Sequence, residues 1–461
     1  MNCLTSFTTP QLALIHKGKV RDSFRFNKES RMIVVTDRIS AFDSVLKTSI
    51  PCKGAVLNTI SNFWFEKTKD IIPNHLLKEI DPSINIVKEA EPIRVEMVVR
   101  NYLSGSMWRN YEKGKRIFSG VEVADGLTKN QQLPNPILTP TTKEESDREI
   151  TPAQILMEGL CRKRLYKQME NAALALFKRG TEILSEKGII LVDTKYEFGI
   201  YDGDLILIDE IHTPDSSRFW DVEKYKADPE NVEQMDKEFV RLWLIANKKD
   251  GQYPNALPEK VIKETQNRYI YICEKITGKK IGICEDVYQR VRHNLVKNKL
   301  IKDGYVILIM GSSTDIDHAN KIKKHLNEYD IYSDIRVCSA HKNGEDILSL
   351  AEVYNTSVEP GAIVAIAGFS NGLGGALAAN LSIPVFSCPP FKDQTDLLLN
   401  INSSLMMPSL VPAATVIKTH NAALAALRSL NLPRLKERFN EEIKTMKDEL
   451  RHNDESVRSS E

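Results

Sequence analysis

From residue 304 onward the chain alternates short, largely apolar runs with polar helical stretches, and few architectures accept that pattern. Tyr305–Met310 (YVILIM), Ile335–Cys338 (IRVC), Ala362–Ala367 (AIVAIA) and Pro384–Cys388 (PVFSC) are too short for buried helices. Between them lie a polar helix after Gly311, a helix over Asp346–Tyr354 and a small-residue helix over Gly374–Asn380. Strands buried on both faces and joined by helices form a parallel sheet with crossovers. The expectation is an α/β domain, a flavodoxin-like three-layer fold.

Before residue 300 the texture differs. Met32–Thr36 (MIVVT), Glu96–Arg100 (EMVVR) and Leu205–Ile208 (LILI) are strand-like runs split by polar loops. Helical patterns cover Ile155–Leu184 and Gln234–Asn247. This predicts an α+β domain with antiparallel sheets. Asp125–Glu149, rich in Pro, Thr and Asn, reads as one long loop. The basic stretch Arg290–Lys302 reads as a linker or linker helix. The domain expectation is 1–285, a linker 286–303, a second domain 304–432, and a C-terminal helix and tail 433–461.

Charge excludes some partners. Lys plus Arg total 63 against 62 Asp plus Glu, a net charge of +1. No global field favours nucleic acid or a membrane surface, although a few cations suffice for a mononucleotide. No run approaches the ~18 apolar residues of a membrane span, and Met1–Pro10 does not read as a signal peptide. The seven cysteines are scattered, with no C-x-x-C pair. That usage points to reduced thiols in a cytoplasmic protein rather than a disulfide framework or a cysteine metal site.

In the first half, Gly18-Lys19-Val20-Arg21-Asp22 has the form of a hairpin tip that could bring N–H groups and cations onto phosphates, or of an ordinary surface turn. Alternation places Asp193, Lys195 and Glu197 on one face of a strand, and a second strand, joined at Asp202-Gly203-Asp204, ends in Asp209. Two readings compete: a solvated charge ladder, or carboxylates and a lysine converging on magnesium and nucleoside phosphates. Thr36–Asp43 and Arg100–Ser106 add arginines and small polar residues beside strand ends, which equally serve as caps and turns.

The ordered set GKVRD, TDRISAFD, IPCKG, EMVVRNYLSGS, LTPTTKEES, VDTKYEFG and IDEIHTPDSSRFW resembles phosphoribosylaminoimidazole-succinocarboxamide (SAICAR) synthase through most of residues 10–285. The resemblance implies an ATP-grasp-like fold and ATP-dependent ligation of CAIR, the 4-carboxylated aminoimidazole ribonucleotide, with L-aspartate. It implies that Gly18, Lys19 and Arg21 cradle ATP phosphates and that the strand Glu96–Val98 offers backbone to adenine. Lys195 would contact the transferred phosphate, and Glu197 and Asp209 would hold Mg2+. Arg100, Ser106 and Arg218 would hold the ribonucleotide and Asp215 the aminoimidazole. Ser40 and Lys53 would lie near aspartate and phosphate, and Asp147 would be a further ligand.

In the second half, Gly311-Ser312-Ser313-Thr314-Asp315 closes a strand and opens a helix, an anion site or a plain cap. Ser339-Ala340-His341-Lys342 follows the next strand, where open α/β sheets place ligands. Gly368–Gly375 lacks the third glycine of a dinucleotide fingerprint, which disfavours an oxidoreductase. GSSTD, SAHK, AGFSNGLGGALAAN and PVFSCPP together resemble aminoimidazole ribonucleotide (AIR) carboxylase over about residues 304–432. Lys342, SNGLG and fusion behind a ligase, as in bifunctional animal enzymes, resemble the type that takes carbon dioxide directly. The resemblance implies His341 as the base at ring carbon 4 and Lys342 beside the carboxylate. Gly311, Ser312, Asp315, Ser339, Ser370, Asn371 and Gly372 would bind AIR. It also implies a homo-octamer held by this domain. Phe369 stands where the animal proteins carry a basic residue. Two alternatives remain: a mutase using the N5-carboxylated substrate, and an inert oligomerisation scaffold.

Overall fold

The computed structural model describes residues 3–144, 147–370 and 372–459. The chain divides into two compact units, one of residues 3–6 and 13–291, the other of 7–12 and 292–459.

The first unit is built on antiparallel sheets. A five-stranded sheet runs in the spatial order Leu14–Lys17, Arg21–Arg25, Ser30–Val35, Ile84–Lys88, Leu76–Asp81. A second sheet orders Gln132–Leu138, Glu91–Tyr102, Ile189–Tyr201 and Asp204–Ile208, with Thr141–Thr142 on the second strand and Ser217–Asp221 on the third. The two long strands pair in register from Asp193 against Arg100 to Glu197 against Glu96, so charged residues spaced by two line one face. The opposite face presents Val95, Met97, Val99, Tyr196 and Phe198 to a core that also holds Trp64 and Phe177.

Two sequence expectations need correction here. The segment 125–149 is not one loop, because Gln132–Leu138 forms an edge strand of the second sheet. Pro134 and Pro136 lack a donor, which an edge strand tolerates, and the ladder shifts register across them. The pattern Ile155–Leu184 is two helices, Pro152–Met157 and Lys163–Ser185. Thr151 and Gln154 form a capping box at the start of the first. Gly159, at φ +68°, lies in the turn that separates them.

Buried histidines make this unit acid-sensitive. His212 is fully buried, with Nε2 2.6 Å from the Tyr196 hydroxyl and its ring edge-on to Trp64. Burial pushes its pKa down to about 3, and that of His75 down to about 4. Both stay neutral in the fold while the unfolded chain protonates them near 6.5. Stability is therefore expected to fall as pH drops below 6.5, by about 1.4 kcal/mol per pH unit for each histidine. The loss levels off near 4 for His75 and near 3 for His212. Urea unfolding followed against pH checks the slope.

The second unit has a five-stranded parallel sheet in the order Tyr332–Val337, Tyr305–Met310, Gly361–Ile366, Val385–Ser387, Ala413–Thr415. In chain order this is 2-1-3-4-5, the flavodoxin-like arrangement. Strand Tyr305–Met310 is buried throughout, and alternate residues enter different cores. Val306, Leu308 and Met310 join one, while Tyr305, Ile307 and Ile309 join the other. The short fifth strand, Ala413–Thr415, was not expected from its composition. Residues 7–12 belong to this unit: Val358 N–H donates to the Thr8 carbonyl, and the Thr9 hydroxyl donates to Glu359 at 2.5 Å. No helix among the described residues is long and apolar enough to cross a membrane.

Candidate active sites

In the first unit the strand ends and following turns surround a cavity of about 490 Å³. Lys195 sits at its floor, where its ammonium lies 2.7 Å from Glu96, pairs with Glu197 and is 3.9 Å from Asp209. Burial disfavours that charge, but Glu197, Asp209 and Glu96 outweigh it and raise the lysine pKa well above its ordinary value. Glu197 is held ionised in turn: Lys195 and Lys143 override the effect of burial and lower its pKa. The reading of Asp193, Lys195 and Glu197 as a solvated ladder fails, because both carboxylates are buried.

Among the described residues no group of three or more metal-ligating side chains gathers. Magnesium, however, takes one or two carboxylates and completes its shell with phosphate oxygens and water. Glu197 and Asp209, both on the Lys195 ammonium, fit that requirement.

The far wall is guanidinium-rich. Arg218 donates to Asp193 at 2.5 Å and to Glu238 at 3.1 Å. Arg100 lies beside it, donating to Thr139 at 2.9 Å and approaching Asp193 at 3.4 Å. Ser106 and Arg109 complete this end. Gly105, at φ +58°, runs so close to the Arg218 guanidinium that a Cβ would collide with it.

Asp215 forms the inner wall. Its Oδ2 accepts from Lys53 at 2.8 Å and lies 3.5 Å from Lys237, and its Oδ1 accepts from the Tyr269 hydroxyl at 2.7 Å. Burial would raise this carboxyl, but Lys237 and Lys53 outweigh it and hold the pKa below the usual range. Lys19, Ser40 and Asp147 also line the cavity.

Five expected site residues, Gly18, Arg21, Lys53, Glu197 and Asp209, are not in the lining of this cavity, although Glu197 and Asp209 contact the Lys195 ammonium that is. Arg21 turns inward beneath the cavity, 2.5 Å from Asp209 and 2.7 Å from Glu210, so it holds those carboxylates and is not free to cradle phosphates. Gly18 shapes the tip: its N–H donates to the Arg21 carbonyl at 2.8 Å, and a Cβ there would lie 2.7 Å from that oxygen. Lys53 is fully enclosed under Asp215 rather than facing a substrate. The backbone of Glu96–Val98 cannot serve adenine, because it is paired on one side with Lys195 and Glu197 and on the other with Thr139 and Thr141. The side chains of Glu96 and Val98, on the face shared with Lys195, line the cavity. Sequence reasoning missed Arg109, Lys237 and Arg241, which also line the cavity. The charged start of the helix Glu238–Ala246 was the available signal for the last two.

The second unit has its cavity, about 580 Å³, at the carboxyl ends of its strands. It opens between Tyr305–Met310 and Gly361–Ile366, where strand order reverses and open α/β sheets bind ligands. Gly311, Ser312, Asp315, Ser339, His341, Lys342 and Ser370 all line it. The Ser312 hydroxyl accepts from Thr314 N–H at 3.3 Å, so it caps the turn Ser313–Asp315 as well. Burial pushes the Asp315 carboxyl up. His341 and Lys342 are exposed. Gly372 packs under the histidine: a Cβ there would lie 3.1 Å from His341 Cε1. Asn371 lies outside the described residues. Phe369 is 81% exposed at φ +53° on the rim, with Phe391 and Lys392 also lining the cavity.

Comparison with known proteins places both halves. Residues 14–256 match the family model for SAICAR synthetase, and residues 305–452 match that for AIR carboxylase. The phosphoribosylaminoimidazole-succinocarboxamide synthase of Bacteroides thetaiotaomicron is 44% identical over 306 residues, 63% of this chain and 96% of that protein. The enzyme of the same name from Flavobacterium psychrophilum is 45% identical over 305 residues, 64% of this chain and 96% of its own. Among solved structures, SAICAR synthase from Saccharomyces cerevisiae in complex with SAICAR shares 35% identity, with a TM-score of 0.54 over 60% of this chain and 99% of that one. The chain therefore belongs to the SAICAR synthetase family and carries an AIR carboxylase domain behind it, a bifunctional enzyme of purine biosynthesis.

Proposed function

We propose that the C-terminal unit carboxylates AIR with carbon dioxide to CAIR, and that the N-terminal unit joins CAIR to L-aspartate with ATP, giving SAICAR, ADP and phosphate. The observation that carries this reading is the pairing of two unlike cavities in one chain. One has a lysine-centred carboxylate cluster facing guanidinium groups, and the other has a histidine at the switch point of a parallel sheet.

In the ligase cavity the CAIR carboxylate attacks the γ-phosphorus of ATP, forming an acyl phosphate. The aspartate amine then displaces phosphate. Lys195 and Lys19 face the negative charge of the transferred group. Glu197 and Asp209 would hold Mg2+, which when bound neutralises charge on the phosphates of ATP. Arg100, Arg218 and Ser106 would hold the ribonucleotide phosphate. Asp193 and Glu238 fix the Arg218 fork in place.

In the carboxylase cavity ring carbon 4 of AIR, an enamine carbon, attacks carbon dioxide. His341 removes the proton left on that carbon, restoring aromaticity. Lys342 attracts the new carboxylate, and Gly311, Ser312 and Asp315 meet the ribose phosphate. The octamer that the resemblance implies is part of this proposal, in the cytoplasm. Leu348, Leu405, Met406 and Leu410, exposed on the second unit, support such an assembly.

The test supplies AIR, bicarbonate, aspartate and Mg-ATP to the purified chain. SAICAR is the expected product. SAICAR from added CAIR alone would overturn direct carboxylation, and rescue by the N5-carboxylated substrate would assign a mutase instead. No product even from CAIR would overturn the ligase reading.

A further inference from the structure

The ligase half-reaction needs a group that its charged cavity does not obviously provide. The α-amine of a free amino acid is largely an ammonium near neutral pH and has no lone pair for attack. A base must take its proton beside the acyl phosphate. Most cavity cations cannot. Arginines stay charged, Lys195 is locked as an ammonium by its carboxylates, and Lys19 is paired with Asp43 at 2.8 Å on the open side.

Lys237 differs from all of these. It is buried yet lines the cavity. Among the described residues its side-chain polar contacts are long, 3.4 Å to the Ser40 hydroxyl and 3.5 Å to Asp215 Oδ2. That carboxylate oxygen is already taken by Lys53 at 2.8 Å, so one negative charge serves two lysines. Lys237 also occupies the N-cap of the helix Glu238–Ala246, where the dipole disfavours a cation. The charged groups facing it are Asp215, Lys53, Arg241 and Glu210. Burial, joined by Lys53 and Arg241, outweighs Asp215 and pushes its pKa down to about 8.

We propose that Lys237 Nζ is the proton acceptor for the α-ammonium of the amino-acid substrate. This rests on the ligase reading above. Neutral Lys237 takes one proton from the ammonium and becomes an ammonium itself. The freed lone pair forms the C–N bond at the acyl carbon, the C–O bond to phosphate breaks, and phosphate leaves with that electron pair. The second nitrogen proton goes to the departing phosphate, and Lys237 returns its proton to solvent.

Hydroxylamine separates this role from substrate binding, because its nitrogen is already neutral near pH 7 and captures acyl phosphates as hydroxamates. Lys237→Met is expected to lower kcat with aspartate by about 10²-fold or more. Hydroxamate formation from CAIR, Mg-ATP and hydroxylamine stays within a few-fold of the unmodified chain. Lys237→Arg, which keeps the charge, does not restore the aspartate reaction. In the unmodified chain kcat rises with pH through about 8, and this limb disappears in Lys237→Met. An equal loss of hydroxamate, or rescue by arginine, would overturn the proposal in favour of an anion anchor. If the unmodified chain forms neither SAICAR nor hydroxamate, the ligase reading fails as well. A thermal melt of the same variants, read on the transition of the first unit, reports that this unit is folded.

Discussion

Replacing Lys195 with methionine is expected to abolish ATP-dependent ligation, by at least about 10³-fold in kcat with CAIR supplied. The argument is electrostatic. The ammonium is the common partner of Glu96, Glu197 and Asp209, and it lines the cavity where phosphoryl oxygens would lie. Removing it deletes charge stabilisation and also changes the cluster. Lys143 remains on Glu197, but among the described residues Glu96 keeps the Thr141 hydroxyl alone, at 3.1 Å. An uncompensated buried carboxylate costs about 3–5 kcal/mol, so the first unit should also unfold earlier. CAIR formation from AIR, housed in the other unit, should persist. Parallel assays of both half-reactions with a thermal melt check all three outcomes. A loss below about 10-fold would mean that Lys195 only knits the strands together.

The second large effect is expected at His341. His341→Asn should lower AIR carboxylation by about 10²- to 10⁴-fold, the usual worth of a positioned base. Asparagine approximates the ring's size and hydrogen bonding but cannot take a proton near neutral pH. The histidine is exposed at the cavity edge, so its loss should leave stability nearly unchanged. Ligation of supplied CAIR should be unaffected. Unaltered conversion of AIR to SAICAR would remove His341 as the base.

The errors of the sequence reading share a cause. Arg21 and Lys53 are basic residues inside recognisable motifs, and motif membership suggested contact with phosphate or substrate. The fold instead turns Arg21 toward Asp209 and Glu210, and encloses Lys53 beneath Asp215. A linear motif does not record which way a side chain points after a turn, nor which helix will cover it. The Glu96–Val98 reading failed similarly: whether a strand's backbone is free depends on its neighbours, and here Thr139 and Thr141 arrive from a proline-rich segment read as loop. Lys237 and Arg241 carried no strand or glycine signal, only charge at a helix start.

Local order was legible because its physics is local. Alternation put Asp193, Lys195 and Glu197 on one face, Asp202-Gly203 turned the hairpin, and short apolar runs between helices specified the parallel sheet. The sequence alone therefore determined two fold classes, the motif order that marks the family, and a part of each cavity's lining. Only the tertiary structure decided which charged groups face a cavity and which are spent on one another. Burial and pairing depend on residues far apart in the chain: Lys53 and Asp215 are 162 positions apart, and Arg21 and Asp209 are 188 apart. Whether a lysine there binds an anion, braces a carboxylate or takes a proton depends on the desolvation and neighbouring charge that the completed fold imposes.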